Sequence, residues 1–136
     1  MGKNKLRLAK AATAGLLALA APAFGGGPSL AMLDQLEGGR WELRERGGAE
    51  AQRICIQSGR RLIQLRHAGL QCDNYVVSDG PGAVVVQYTC RGKGYGRTEI
   101  RRETNRLVQV QSHGIADGLP FVITAEARRV GECGGN

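Results

Sequence analysis

Two of the four cysteines, Cys72 and Cys90, occupy mirror positions about a single turn, and this symmetry constrains the fold more than any other feature. Between them lie two runs rich in Val and Tyr, separated by the segment 79–82, which reads Asp-Gly-Pro-Gly. Val and Tyr favour strands, whereas Gly and Pro favour turns. The segment therefore predicts an antiparallel hairpin centred on Pro81, with the two sulfur atoms opposite each other.

The hairpin also predicts a register. A turn centred on Pro81 pairs Asn74 with Tyr88 and Val76 with Val86. Directly opposed residues of an antiparallel pair have Cα atoms about 4.5–5.5 Å apart, which is within the range that a disulfide accepts. We therefore predict that the two cysteines of the hairpin form a disulfide.

The other two cysteines, Cys55 and Cys133, are assigned from strand direction. If strands alternate in direction, and if a helix after Ser58 carries the chain across the sheet, both cysteines fall at the same end. If the helix does not cross, Cys133 is left alone at its end and no complete pairing forms. We therefore predict a Cys55–Cys133 disulfide. A zinc site normally needs short C-x-x-C-like steps, and this chain has none.

The N-terminus has the pattern of a secretory signal peptide. An apolar stretch at residues 11–23 ends in Ala21-Pro22-Ala23, a small-x-small cleavage site, and a second such site ends at Ala31. The basic residues that precede the stretch are Lys3, Lys5, Arg7 and Lys10. The stretch is too short to span a bilayer core of about 30 Å. Because the stretch is short, we expect no transmembrane segment. Four cysteines in an exported chain favour disulfides, so we expect a periplasmic or secreted protein.

Export divides the chain into four predicted parts. These are the signal peptide at 1–23, a flexible leader at 24–37, a single β domain at 38–133 and a tail at 134–136. Cleavage leaves fifteen basic against twelve acidic residues, so the mature charge is +3 instead of the +7 of the whole chain. Export, this modest charge and few aromatic residues for base stacking argue against a nucleic-acid partner.

The pattern of the mature chain indicates a mainly β fold. From Gly39 the apolar residues alternate with charged ones, and Trp41 is the expected core anchor of this first strand. Ser58 is typical of an N-cap, and a short helix is expected at 59–68. Besides the hairpin strands, further strands are predicted at 39–46, 52–56, 97–103, 107–113 and 120–130. Because no β-α alternation occurs, we predict an antiparallel meander of about seven strands, curled or closed into a small barrel.

Read together, these landmarks resemble the domain of unknown function 3617 family of small exported bacterial proteins. They are Gly39-Arg40-Trp41-Glu42, Cys55-Ile56-Gln57-Ser58, Cys72, a Val-rich strand that ends at Cys90, and Arg129-Val130-Gly131-Glu132-Cys133. The resemblance covers residues 38–133, and the chain departs from it at Arg40, where the family usually has an apolar residue. The family has no established function, so the resemblance implies an exported domain and no catalytic residues.

No arrangement of residues predicts catalysis. The serines that could pair with a histidine base lack the context of a nucleophile elbow, and no third group is evident to orient a base. The segment Arg91–Gly96 is rich in glycine, but a strand is expected after it where a phosphate-binding loop needs a helix. We interpret this segment as a hairpin turn. We therefore predict a protein that is not an enzyme and that has no cofactor and no metal site.

The arginines are the candidate binding residues. Arg97, Arg101 and Arg102 fall on one predicted strand and could line one face of the sheet as an anion-binding face. Arginine binds carboxylate and phosphate groups bidentately. The alternative is a solvated face that is balanced by glutamates. The expected function is thus a non-enzymatic β domain that binds an envelope protein or an anionic ligand.

A second functional hypothesis is a periplasmic inhibitor of an enzyme that attacks the envelope. Small disulfide-linked β-barrels that inhibit lysozyme carry a Tyr-x-Cys strand, which is similar to Tyr88-Thr89-Cys90 here. Those inhibitors depend on a loop of the type Ser-Gly-x-x-Tyr. This chain has no such loop, which favours the binding hypothesis over the inhibitor.

Overall fold

The computed structural model describes residues 27–134, so the predictions for the signal peptide, for residues 24–26 and for most of the tail lie outside the described residues. The strands are β1 (Gly39–Glu45), β2 (Gln52–Ile56), β3 (Asp73–Asp79), β4 (Ala83–Cys90), β5 (Gly94–Thr104), β6 (Leu107–Ala116) and β7 (Leu119–Gly131). They are joined by one short α-helix, α1 (Ala31–Asp34), and two 3₁₀ helices, Gly59–Leu62 and Leu65–His67.

The seven strands form a single antiparallel sheet in the order β2-β1-β7-β6-β5-β4-β3. The prediction of a mainly β, antiparallel fold with a short helix is confirmed. The expected closure into a barrel is wrong: β2 and β3 lie at opposite edges and do not pair with each other, and the sheet is not strongly curled. Closure is unnecessary because α1 and the 3₁₀ helices cover the apolar face of the sheet, which buries it without a second layer of strands.

Both predicted disulfides are present. The Cα atoms are 4.2 Å apart in Cys72–Cys90 and 5.6 Å apart in Cys55–Cys133. The predicted hairpin register is also confirmed, since the Asn74/Tyr88 and Val76/Val86 pairs are both formed. A register shift follows Val76, so the rest of β3 pairs one residue out of step.

The packed domain begins earlier in the chain than predicted. The predicted leader includes α1, yet Leu33 and Leu36 are fully or almost fully buried in the main core. Gly59 allows this packing, because a Cβ atom at that position would lie 2.5 Å from a methyl group of Leu36. The Asp79 carboxylate then accepts hydrogen bonds from the backbone N–H groups of Ser29 and Leu30, at 2.9 and 3.0 Å. Residues 29–36 therefore belong to the β domain.

The segment predicted as one helix at 59–68 is divided into the two 3₁₀ helices. The predicted N-cap is confirmed, because the Ser58 hydroxyl accepts a hydrogen bond from the Arg60 backbone N–H at 3.3 Å. The break between the two helices lies at Ile63 and Gln64. Trp41 is the predicted core anchor, with an exposed fraction of 0%, and its indole N–H donates to the carbonyl of Glu37 at 2.9 Å.

The glycine-rich segment is a turn only at Arg91–Lys93, and its remaining residues belong to β5. Gly96 of β5 is paired with Tyr88 on one side and with Gly114 on the other, and Gly114 is paired with Phe121. Because the two glycines have no side chains, they leave a gap on the sheet between the rings of Tyr88 and Phe121, which we call the slot. The ring of His67 makes edge contacts with both, at centroid distances of 5.4 Å to Tyr88 and 5.8 Å to Phe121.

Candidate functional site

The sheet has one covered and one uncovered face. α1 and the 3₁₀ helices pack against the face that carries Trp41, Val86 and Ile100, which we call the inner face. The residues that alternate with these along each strand lie on the opposite side, which we call the outer face. No helix among residues 27–134 covers the outer face, so its side chains are available to a ligand.

The structure does not bring the three predicted arginines together. Arg97 and Arg101 lie on the outer face, in register with His113 and Gln109 of β6. Arg102 follows Arg101 directly and therefore lies on the other side of the strand. Its guanidinium donates to the side-chain oxygens of Gln35, at 2.6 Å, and Asn105, at 3.0 Å. Arg102 thus ties β5 to the segment after α1, and the anion-binding candidate is reduced to two residues.

Half of the outer face is neutralised by its own ion pairs. On β1, Glu42 lies between Arg44, at 2.6 Å, and Arg53 of β2, at 3.4 Å. The hydrogen bond from Arg44 holds the pKa of Glu42 below its ordinary value, against the opposing effect of desolvation. On β7, Arg128 pairs with Glu126 at 3.1 Å. These arginines are already partnered and offer little free charge to a ligand.

The other half of the outer face is different in character. A straight row crosses five strands there, and its members are Val122, His113, Arg97, Gln87 and Tyr75. Neighbouring strands lie about 4.8 Å apart, so the row is about 19 Å long. The exposed fraction is 75% for Val122 and 70% for Tyr75. We call this the Arg97 row.

The charge at the centre of this row is free. Arg97 makes no ion pair and no side-chain hydrogen bond within the part of the chain that the structure describes. Arg101, two same-face positions along β5 and beyond Glu99, is instead 3.3 Å from Glu103. Tyr95, on the other side of Arg97 along the same strand, is half exposed. The tyrosines of this surface were not predicted from the sequence, although strand alternation places Tyr95 on the same face as Arg97.

The two histidines are placed in contrasting environments. His113 is exposed on the outer face, beside Arg97. His67 is 4% exposed, and its Nδ1 atom lies 3.0 Å from the Tyr88 hydroxyl and its Nε2 atom 3.3 Å from the Lys93 carbonyl. Since a carbonyl only accepts, Nε2 donates to it, and in the neutral ring the hydroxyl then donates to Nδ1. Burial raises the pKa of Tyr88, although the Ser112 hydroxyl lowers it in part.

This geometry leaves His67 with a structural role. Both of its ring nitrogens are occupied by partners within the fold, so neither is available as a base. Among the described residues no group of three or more His, Cys, Asp or Glu side chains could hold a metal ion.

A cavity of about 510 Å³ opens on the inner face below the second 3₁₀ helix. Its apolar part is formed by Leu43, Leu65, Ala116 and Ile123. Its rim carries charged and polar side chains, namely Glu45, Gln52, Arg66, Lys93 and Asp117. Ligand sites in proteins commonly have volumes of about 300–1,000 Å³. This cavity is therefore large enough to accept a ligand group.

Comparisons with family models, with curated proteins and with solved structures find no match for this chain. The resemblance to the domain of unknown function 3617 family stays a prediction. Within residues 27–134 no helix is long and apolar enough to cross a membrane.

Proposed function

We propose that this protein is a non-enzymatic domain of an oxidising compartment outside the cytoplasm, periplasmic or secreted, and that it binds an anionic component of the cell envelope. The Arg97 row is the proposed contact surface. The proposal is carried by the Arg97 guanidinium, which has no partner among residues 27–134 and lies on a face that no helix of this part of the chain covers. The two disulfides support the compartment, because disulfides persist where thiols are not kept reduced.

The neighbours of Arg97 suit an anionic polymer. A guanidinium presents a planar set of donors that matches a carboxylate or a phosphate group. Gln87 and His113 flank Arg97 in the row and can add hydrogen bonds to the same chain. Tyr75 and Tyr95 add exposed aromatic area that can pack against the uncharged parts of the polymer. Because the surface is flat and exposed, the binding is expected to be modest and sensitive to salt.

The test is retention of the mature protein on immobilised polygalacturonate and on immobilised polyphosphate, eluted with a salt gradient. We expect Arg97→Ala to elute at clearly lower salt, with an affinity about tenfold weaker, because one charge-assisted hydrogen bond pair is lost. Arg128→Ala is the matched control: it removes the same charge from the same face, but Arg128 is already paired with Glu126.

The control should change retention much less than Arg97→Ala. Equal shifts for both variants would show that only net charge matters and would contradict a site at Arg97. Absence of retention of the unaltered protein on both polymers would reject the proposal.

A further inference from the structure

Strand β7 is much longer than its neighbour β1. It has 13 residues, but β1 pairs only with the part from Ala125 to Gly131. The last contact is a hydrogen bond from the Arg46 backbone N–H to the Thr124 carbonyl at 2.8 Å. Gly47, with φ of 80°, then turns the chain away. Within the described residues 27–134, residues 119–123 therefore have β6 on one side and no strand on the other. We call them the free half of β7.

The register shows which backbone groups point into this vacant position. In an antiparallel strand the N–H and C=O of one residue point to the same side, and the side alternates along the chain. Thr124 bonds toward β1, whereas the Arg129 N–H bonds toward β6, to the Arg106 carbonyl at 2.9 Å. Val122 and Pro120 therefore direct their backbone groups at the vacant side. Pro120 has no backbone N–H, so it leaves no donor unpaired on the vacant side. Proline is tolerated in a sheet at edge positions of this kind.

Apart from Pro120, the free half of β7 lacks the features that usually protect an edge. Natural edges are shortened, charged, bulged, covered or interrupted by proline. β2 has only five residues, and β3 carries a register shift and begins and ends with aspartate. The free half of β7 is uncharged, and its exposed fractions are 75% at Val122 and 70% at Leu119. Exposed apolar groups beside unpaired backbone groups indicate a binding surface.

The inner-face cavity adjoins this edge. Opposed residues of neighbouring strands share a face, so a strand added beside β7 would direct the residues opposite Phe121 and Ile123 to the inner side. Ile123 and Leu65 line the cavity there. The residue of the added strand that is opposite Val122 would lie on the outer face, beside the exposed side chain of Val122. Leu65 and Ile123 are the apolar lining nearest the added strand, so its two alternate apolar side chains would pack against them, while Glu45 and Gln52 lie on the rim.

We propose that the free half of β7 binds an extended peptide segment of another protein by strand addition. The segment runs antiparallel to β7 and continues the line of β1. Val122 supplies one donor and one acceptor, Pro120 supplies one acceptor, and the cavity takes the two alternate apolar side chains. Main-chain bonds with side-chain pockets at alternate positions are the general form of strand addition. The strand-addition contacts are made by the backbone of Val122 and Pro120, whereas the polymer site is centred on the Arg97 side chain two strands away. The two surfaces share only the Val122 side chain.

The free protein offers a first test by amide hydrogen exchange. We expect the Val122 amide to exchange much faster than those of Phe121 and Ile123, whose N–H groups face β6. The probe for binding is the peptide acetyl-Lys-Val-Thr-Val-Thr-Lys-amide, titrated into ¹⁵N-labelled mature protein. Binding should be saturable and should slow exchange of the Val122 amide at least about tenfold, since a bound N–H exchanges only on release.

Two changes test the backbone contacts from both sides. Methylation of the peptide nitrogen of the threonine between the two valines removes the donor to the Val122 carbonyl. It should weaken binding about tenfold or more. Val122→Pro removes the protein's donor and no bond to β6, so binding should be lost while the sheet is retained. Val122→Thr is the matched control, because it keeps the donor and should bind within about twofold.

The outcomes separate this proposal from the polymer site. Arg97→Ala keeps the Val122 N–H and carbonyl, so its affinity for the peptide should be unchanged while its retention on polyphosphate falls. Absence of saturable binding, or equal affinity for the methylated peptide, would overturn strand addition at this edge. Sedimentation that showed a dimer which Val122→Pro dissociates would also overturn it, because the edge would then be occupied by a second copy.

Discussion

Replacement of Cys55 and Cys133 by alanine is expected to lower the free energy of unfolding by about 4.5 kcal/mol, the largest effect of any change considered. The disulfide joins residues that are 78 positions apart, and closing a loop of that length costs the unfolded chain about this much in the chain-entropy model. Both cysteines are exposed, so alanine removes little packed surface and the loss reports the cross-link. Urea unfolding monitored by Trp41 fluorescence gives the measurement.

The unaltered protein after reduction is the control for the other disulfide. Reduction also opens Cys72–Cys90, whose separation of 18 corresponds to about 3 kcal/mol in the same model. The reduced protein should therefore be less stable than the double alanine variant. A variant that unfolds at the same urea concentration as the unaltered protein would contradict this account of the disulfide.

Gly114→Ala is expected to cost about 3 kcal/mol or more, the upper range for overpacking a core. A Cβ atom at this position would lie 2.0 Å from the Tyr95 carbonyl oxygen and 2.7 Å from the Gly96 Cα atom. These are backbone atoms, so relief requires β5 and β6 to move apart. Movement at this point also displaces the slot that holds His67. Thermal or urea unfolding measures the loss, and the ring signals of His67 in NMR report the displaced slot.

Gly82→Ala is the matched control for this substitution. Nothing lies within 4 Å of a Cβ atom added there, and the backbone is not in the left-handed region. Where alanine fits, it reduces the freedom of the unfolded chain, so stability should be unchanged or higher by about 0.4–1 kcal/mol. Similar losses at the two positions would mean that the Tyr95 and Gly96 contacts do not govern the effect.

The hairpin could be predicted from sequence because several local signals agree. The turn residues at 79–82, the flanking Val-rich runs and the spacing of Cys72 and Cys90 all favour one register. The Cys55–Cys133 pairing could also be predicted, because strand alternation leaves few ways to bring four cysteines together. Topology and local propensity pointed to the same answer at these positions.

The elements that escaped prediction depend on contacts between distant residues. The sequence does allow one or two helical turns at 30–36, but it does not show that they pack in the core. α1 is held there by packing on Gly59 and by the hydrogen bonds that the Asp79 carboxylate accepts from the Ser29 and Leu30 backbone. Gly96 and Gly114 have poor strand propensity. Gly96 is needed for the room that the Tyr88 ring occupies, and Gly114 for the close approach of the Tyr95 carbonyl. We predicted closure of the sheet because open edges promote aggregation. The sequence did not show that the helices would bury the apolar face, which makes a closed barrel unnecessary.

The candidate site was predicted in part. Arg97 and Arg101 do share a face, but adjacent residues of a strand cannot, so alternation alone argues against Arg102 as a third member. The ion pairs that neutralise one half of the outer face could not be read from the sequence, because Glu42 is bonded by Arg53 of another strand. The free half of β7 likewise depends on where β1 ends relative to its partner.

The Cys55–Cys133 disulfide has a mechanical consequence. Tension applied between residues 27 and 134 passes from Cys133 directly to Cys55, so the chain between them bears no load. Only residues 27–55 can be drawn out, which at about 3.5 Å per residue is an extension of about 100 Å. β3 to β7 lie between the two cysteines, so tension on these ends cannot pull them apart directly. The load is borne by the segment before Cys55, with α1 and β1, and by the disulfide itself.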